Sequence, residues 1–314
     1  MDDDLIGDKV GFDLDLAAET ATRLKSPQLR QIAETFHNSN EIVLRLLALP
    51  LTLLTIGEAA KNRMVFLAEA MILSEHIRAG DDSDAVMSEV HEQALRRQRE
   101  VATTNPNFDP VASAKAALRL IVKEQNMRRP MRALLYSCAV FAWSAVESAL
   151  KDAWVIAVNL QPLPLGHRSV LALRGDGVAD GITSKQVSVG LLAKYGFDLR
   201  DKIGTILAGK YDFTGTDGMR AAYSAAFGKE EIIESALSSD QLSRLEAIRH
   251  VIAHRAGLVD EEFIRRTGGE GQTVGSLLSI TEKTLCELID SAISATTTVL
   301  RQVDARIGSA EAGT

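Results

Sequence analysis

Aromatic side chains are scarce in this 314-residue chain, at 5% of all residues, and there are only two cysteines. With so few aromatics, and with an apolar content of 46% carried mostly by Ala, Leu, Ile and Val, a sandwich or barrel is disfavoured and helices are expected. Cys138 and Cys286 lie in separate apolar helical runs and form no CxxC pair, so reduced core thiols in a cytoplasmic protein are expected. Uninterrupted apolar stretches are short as well. The longest, over residues 42–56, is broken by Arg45 and Pro50 and falls short of the ~20 residues that span a bilayer. It reads as a core helix with a break at Pro50, and no membrane association is expected. The acidic start, Met1-Asp2-Asp3-Asp4, has no apolar segment behind it, so no secretory signal is expected either. Positive charge is in deficit, the formal net charge being −7. A surface of that sign cannot coat nucleic acid by general counterion release, so any such contact has to be local.

What is present is helical periodicity. From Pro27, the residues Leu29, Ile32, Ala33 and Phe36 share one face. Asn40 is expected to cap a run through Leu53, and a further helix over 58–76 carries a stripe of Met64, Leu67, Ala68 and Met71. A turn follows over 79–84, with Ser83 or Asp84 opening the next helix. Asp109 before Pro110 is the pattern of an N-cap with proline in the first helical position. The break at Asn126-Met127-Arg128-Arg129-Pro130 divides the chain into an N-terminal helical region, 1–126, and a second helical domain, 130–307, with a disordered tail over 308–314.

The second region opens with a long helix over 131–158, apolar almost all round through Leu134, Leu135, Cys138, Phe141, Ala142, Ala145, Ala149 and Val155. Its narrow polar stripe holds Ser137, Ser144, Glu147, Ser148 and Lys151, and the spacing of Glu147 and Lys151 suits a surface ion pair. A loop is expected over 162–181, then short helices over 184–195, 199–207 and 217–227. Ser238-Ser239-Asp240-Gln241 is a capping box for a helix through Leu242, Leu245, Ile248 and Ile252 that ends at Gly257. A short extended segment, a glycine-rich loop over 267–271 and a final helix from about Ser279 complete the chain. That last helix buries Leu285, Leu288, Ala292, Val299 and Val303.

Three patterns bear on chemistry. Residues 204–210 match the start of a phosphate-binding loop, but Tyr211 stands where Ser or Thr must hold magnesium, and no strand precedes it. His250 and His254, four apart on one helical face, offer two metal ligands, yet Val251 stands where a zinc protease has Glu, so no metal is expected. The third is Arg249-His250-Val251-Ile252-Ala253-His254-Arg255. Arg and His five apart lie ~140° apart around a helix axis, so they flank a groove. One supplies a permanent planar cation for phosphate, the other a proton donor or acceptor near neutral pH. Together they suit phosphodiester chemistry without a metal or other cofactor.

The run Arg249-His250-x-x-x-His254 resembles the Arg-polar-x-x-x-His signature of HEPN domains. The likeness extends to Arg255 and Gly257 just past the motif and to the long upstream helix with Tyr136 and Glu147, covering about residues 130–307. The resemblance implies an all-α helical bundle of HEPN type, here with an additional N-terminal helical region. It implies a homodimer that brings two motifs into one cleft, and a metal-independent endoribonuclease cleaving RNA through 2′-hydroxyl attack. Arg249 and His254 are then the essential catalytic pair, with His250 and Glu147 supporting. Toxin–antitoxin or phage-defence roles follow for such a domain, with an antitoxin or regulatory protein as a further partner. The alternative is a non-catalytic HEPN module for nucleotide binding or protein interaction. In a third reading the chain is an unrelated helical scaffold in which Arg249 pairs with Glu246 or Asp240.

Overall fold

A long run of Ala interleaved with bulky residues builds the helix around which the molecule is organised, α6 (Gln125–Leu160). Leu135, Cys138, Trp143, Val146, Leu150, Trp154 and Val158 are buried on it with seven alanines. A helix apolar on so many sides has to be enclosed by others. The computed structural model describes residues 11–80, 83–105, 108–174, 189–269 and 271–311, and in it the chain is all-α. The other helices are α1 (Asp15–Arg23), α2 (Pro27–Leu73), α3 (Glu75–Arg78), α4 (Asp84–Thr104), α5 (Pro110–Lys123), α7 (His167–Arg174), α8 (Val189–Lys194), α9 (Ile203–Ala208), α10 (Thr216–Phe227), α11 (Glu231–Leu237), α12 (Asp240–Arg255), α13 (Glu261–Thr267) and α14 (Glu282–Glu311). Among the described residues the extended pairing is a single antiparallel bridge, Leu258 with Leu277.

α2, α12 and α14 pack around α6, with α5, α9 and α10 closing the remaining sides. The two tryptophans act as cross-ties as well as filler. Trp154 donates its indole N–H to the Ala222 carbonyl at 2.8 Å, and Tyr223 returns a hydroxyl to the Leu150 carbonyl at 2.7 Å. Buried ring donors need such partners. One continuous core includes Phe12, Leu29, Phe36 and Val43 together with residues of α6, α12 and α14, so both sides of the expected 126/130 boundary feed it. Asp304, buried on α14, accepts from the Lys25 and Ser26 amides and so pins the α1–α2 turn to the far end of the chain. The boundary pentapeptide itself lies within α6, which starts after Glu124 and runs through Pro130.

The N-terminal half departs from expectation in continuity. Residues 27–73 form one 47-residue helix, ~70 Å long at 1.5 Å per residue. Asn40 does not cap. It is buried inside the helix and donates its amide N–H to the Phe36 carbonyl at 2.9 Å. Pro50 forfeits one hydrogen bond without ending the helix, because apolar contacts hold the chain on both sides of it: Val43 and Leu47 on the main core, Phe66 and Ala70 on a small separate cluster with Val86, Val90 and Ala94 of α4. The buried positions there are Phe66 and Ala70, whereas Met64 of the expected stripe is 64% exposed. By length and composition α2 and α6 are apolar enough to cross a membrane, a property that the broken run expected from the sequence did not have.

The segment expected to be loop from 162 is helical as far as it is described, a π-helical turn over Pro162–Gly166 leading into α7. The expected loop beyond residue 174 and the first part of the helix expected over 184–195 lie outside the described residues, as do Glu270 of the glycine-rich loop and residues 312–314 of the expected tail. Residues 261–267, expected to be extended, are the helix α13, capped by the Asp260 carboxylate on the Phe263 amide at 2.8 Å. α14 continues to Glu311, into the tail expected to be disordered.

Candidate functional site

α12 carries the Arg-His-x-x-x-His run, and local chemistry fixes both its ends. Ser239 opens it, accepting from the Leu242 amide, as the capping pattern predicts. Leu242, Leu245, Ile248 and Val251 are buried and hold one face against α6 and α14. At the C-terminus Ala256 and Gly257 both take positive φ, 51° and 82°, and their amides return to the Val251 carbonyl. The left-handed turn thus begins one residue before the expected glycine. Tyr136 of α6 packs flat against it. A Cβ on Gly257 would stand 2.6 Å from the Tyr136 ring, whose hydroxyl donates to the Leu278 carbonyl at 2.6 Å. The last turn of the motif helix is therefore wedged between α6 and the segment before α14.

On that frame the four expected site residues take different positions. Arg249 is half-buried and points to α6, where its guanidinium lies 3.9 Å from the Glu147 carboxylate. That is a loose ion pair across two helices; the partner expected for Glu147, Lys151, is on its own helix. His254 is exposed in the last turn, and the half-buried His250 ring lies against it with centroids 4.8 Å apart at 48°. The two imidazoles and the Arg249–Glu147 pair thus lie along one helix, with Arg249 anchored and His254 open to solvent. Arg255, at the end of the helix, pairs with Asp260 at 3.4 Å.

Two acids not singled out in the sequence complete the surroundings. Asp212 has its carboxyl held below the usual carboxylate range, first by hydrogen bonds from the Thr214 hydroxyl and amide and, more weakly, by the nearby Arg249 charge. Trp143 of α6 fixes the same turn by donating to the Thr214 carbonyl. Glu246, one turn before Arg249, is taken up elsewhere. It accepts from the Thr216 amide at 2.9 Å, the Thr216 hydroxyl at 2.7 Å and Arg266 at 2.9 Å, tying α12 to α10 and α13. The scaffold pairing of Arg249 with Glu246 or Asp240 is therefore replaced by one with Glu147. An Asp-x-Thr turn and a Glu three residues before an Arg are common patterns, so nothing local marked Asp212 or Glu246 as members of this neighbourhood.

No family model matches this chain, nor does any curated protein or solved structure. The reading of the site accordingly rests on its own geometry. Among the described residues no group of three or more His, Cys, Asp or Glu side chains is arranged to hold a metal ion. The 204–210 segment forms the short helix α9 against α6, where a Cβ on Gly204 would come within 2.3 Å of the Val155 carbonyl oxygen. Its glycine serves close helix packing. Both cysteines are buried, and burial pushes the Cys138 thiol up to about 12 and the Cys286 thiol up to about 11, which makes them poor nucleophiles.

Proposed function

We propose that this chain is a metal-independent endoribonuclease of HEPN type, with Arg249 and His254 as its catalytic pair. The observation that carries the reading is the division of labour along α12. A permanent cation is anchored by Glu147, and an imidazole one turn and a half further on is open to solvent beside a second imidazole. RNA brings its own nucleophile, the 2′-hydroxyl next to the scissile phosphate. His254 takes the proton from that oxygen or gives one to the leaving 5′-oxygen. Arg249 stabilises the charge that gathers on the phosphorane oxygens. His250 steadies the His254 ring or shares the proton transfer. A second protomer, as the HEPN resemblance implies, supplies the complementary His254. With a net charge of −7 the contact with RNA is confined to this end of α12. In this reading the protein acts in the cytoplasm, as a toxin or defence effector restrained by an antitoxin or regulatory partner.

A second reading is favoured by the two carboxylates, Glu147 and Asp212, that stand near Arg249 and offset its charge. It makes the chain a non-catalytic HEPN module that binds a nucleotide or a protein. Purified full-length protein incubated with a mixed RNA pool in EDTA separates the two. Catalysis predicts cuts ending in 2′,3′-cyclic phosphates, no cuts in DNA, and at least a 100-fold loss in His254→Ala and in Arg249→Ala, the scale of general acid–base contributions. The exposed His254 can be removed without unfolding the chain, so unchanged far-UV circular dichroism qualifies that variant as a control. Cleavage that disappears in EDTA, or equal activity in both variants, refutes the mechanism. RNA that binds but stays uncut supports the second reading.

A further inference from the structure

The face of α2 opposite the core carries Ile42, Leu46, Leu49, Leu53 and Ile56, at successive steps of four, three, four and three residues. Ile42, Leu49, Leu53 and Ile56 are 59%, 43%, 59% and 60% exposed, and Leu46 is half-buried. Ala60 extends the same series, also exposed. Only 11% of the most apolar window of α2 is buried, although the helix is firmly attached along its other side. We propose that this stripe is a self-association seam, covered by the α2 stripe of a second copy of the chain.

The spacing is what identifies the occupant. Steps alternating between three and four are those of the a and d positions of a coiled-coil seam, where each side chain enters a hole between four residues of a facing helix. A bilayer surface makes no such demand. Nor can lipid surround α2, because Val43 and Leu47 are 1% and 6% exposed in the main core and Leu44, Leu51 and Leu54 pack partly upon it. One edge of the stripe is polar, with exposed Arg45 and Thr52, and Arg45 is engaged with Glu41 at 2.6 Å. A stripe with a polar edge suits a narrow helical partner.

The area is consistent with a pair of equal surfaces. Five half-exposed Leu and Ile side chains present on the order of 500 Å² per copy, so two copies would cover about 1,000 Å², the lower limit for a specific contact. The seam also opens at its N-terminal end into a groove of about 640 Å³ between α2 and α6, walled by Ile32, Phe36, Ile42, Phe141 and Val155. Phe141 is 53% exposed there, against the expectation that it lies in the core. This groove lets the apolar contact continue past the seam. Closed, self-complementary pairing of one patch with itself is the commonest form of protein dimer.

The seam is remote in sequence from α12, and the inference does not rest on the ribonuclease reading. Sedimentation velocity of the full chain at about 50 µM tests it. The expected result is a species of twice the 34.0 kDa chain mass, converted to monomer by the double substitution Leu49→Glu and Leu53→Glu with helicity unchanged. As a second measurement that does not depend on charged substitutions, Leu53→Cys should cross-link between chains under a mild oxidant, the native Cys138 and Cys286 being buried. A monomeric wild type, a double variant that remains dimeric, or a Leu53→Cys chain that stays uncross-linked overturns the proposal. So does a monomer that floats with phosphatidylcholine vesicles and loses them in the double variant, which would assign the stripe to lipid.

Discussion

Removing the Glu246 carboxylate should loosen the helix that carries the site, and the structure gives the size of the effect. Its Oε2 atom collects three donors, the Thr216 amide, the Thr216 hydroxyl and Arg266 Nη2, all within 2.9 Å. The carboxylate side chain is 13% exposed and that of Arg266 23%, so water replaces these contacts poorly. Hydrogen bonds to a charged group contribute about 1.5–3 kcal/mol each, but three that share one oxygen do not add. Glu246→Ala therefore costs about 3 kcal/mol, including the arginine left without its counter-charge. Glu246→Gln retains an acceptor for Thr216 and loses only the charge opposite Arg266, for about 1–2 kcal/mol. Urea unfolding followed at 222 nm reads the difference. With a slope of about 3 kcal/mol/M, the alanine variant should unfold about 1 M earlier than wild type and the glutamine variant about half as much. An alanine variant within 0.2 M of wild type, taken as roughly the extrapolation scatter, refutes the view that this carboxylate ties α12 to α10 and α13. Equal losses in the two variants refute the part assigned to charge.

Gly257→Ala should cost about 2 kcal/mol or more, since φ of 82° disfavours a side chain and the new Cβ meets the Tyr136 ring at 2.6 Å. Gly80→Ala is the control, with φ of 86° and nothing within 4 Å, so it should lose only the backbone part of about 1 kcal/mol; equal melting points would remove Tyr136 as the reason. The cysteines make a pH prediction. Their folded-state values of about 12 and about 11 lie above the ordinary 9, so the stability from keeping them protonated is intact below pH 9 and is lost as pH rises towards 11 and 12. At pH 8 the native chain should leave a thiol reagent unreacted while the urea-unfolded chain consumes two equivalents, and rapid labelling of the native chain would contradict the burial.

Much of the fold could be read locally. The buried faces of α12 and α14, the caps at Ser239 and Asp109 and the helical turn at Gly257 all follow from spacing and from side chains that bond their own backbone within a few residues. The candidate motif was equally legible, because Arg249, His250 and His254 lie within one and a half turns of one helix. Where the sequence misled, a local signal competed with distant contacts. Asn40 and Pro50 have the chemistry of helix ends, but apolar anchors on both sides carry α2 through them.

Taken by itself, the sequence determined helicity, which face of most helices is apolar, and the presence of Arg and His at a spacing suited to phosphodiester chemistry. Tertiary structure decided which carboxylate each arginine meets. Glu147 turned to Arg249 instead of Lys151, Glu246 to Arg266 and Thr216, and Asp212 came near Arg249 from a turn fixed by Trp143. It also left the α2 stripe uncovered while burying its opposite face. The physical reason is one of range. Periodicity and capping act over three to four residues along one helix, whereas ion pairs between helices depend on how whole apolar faces dock, and that docking is set by the shape of the shared core.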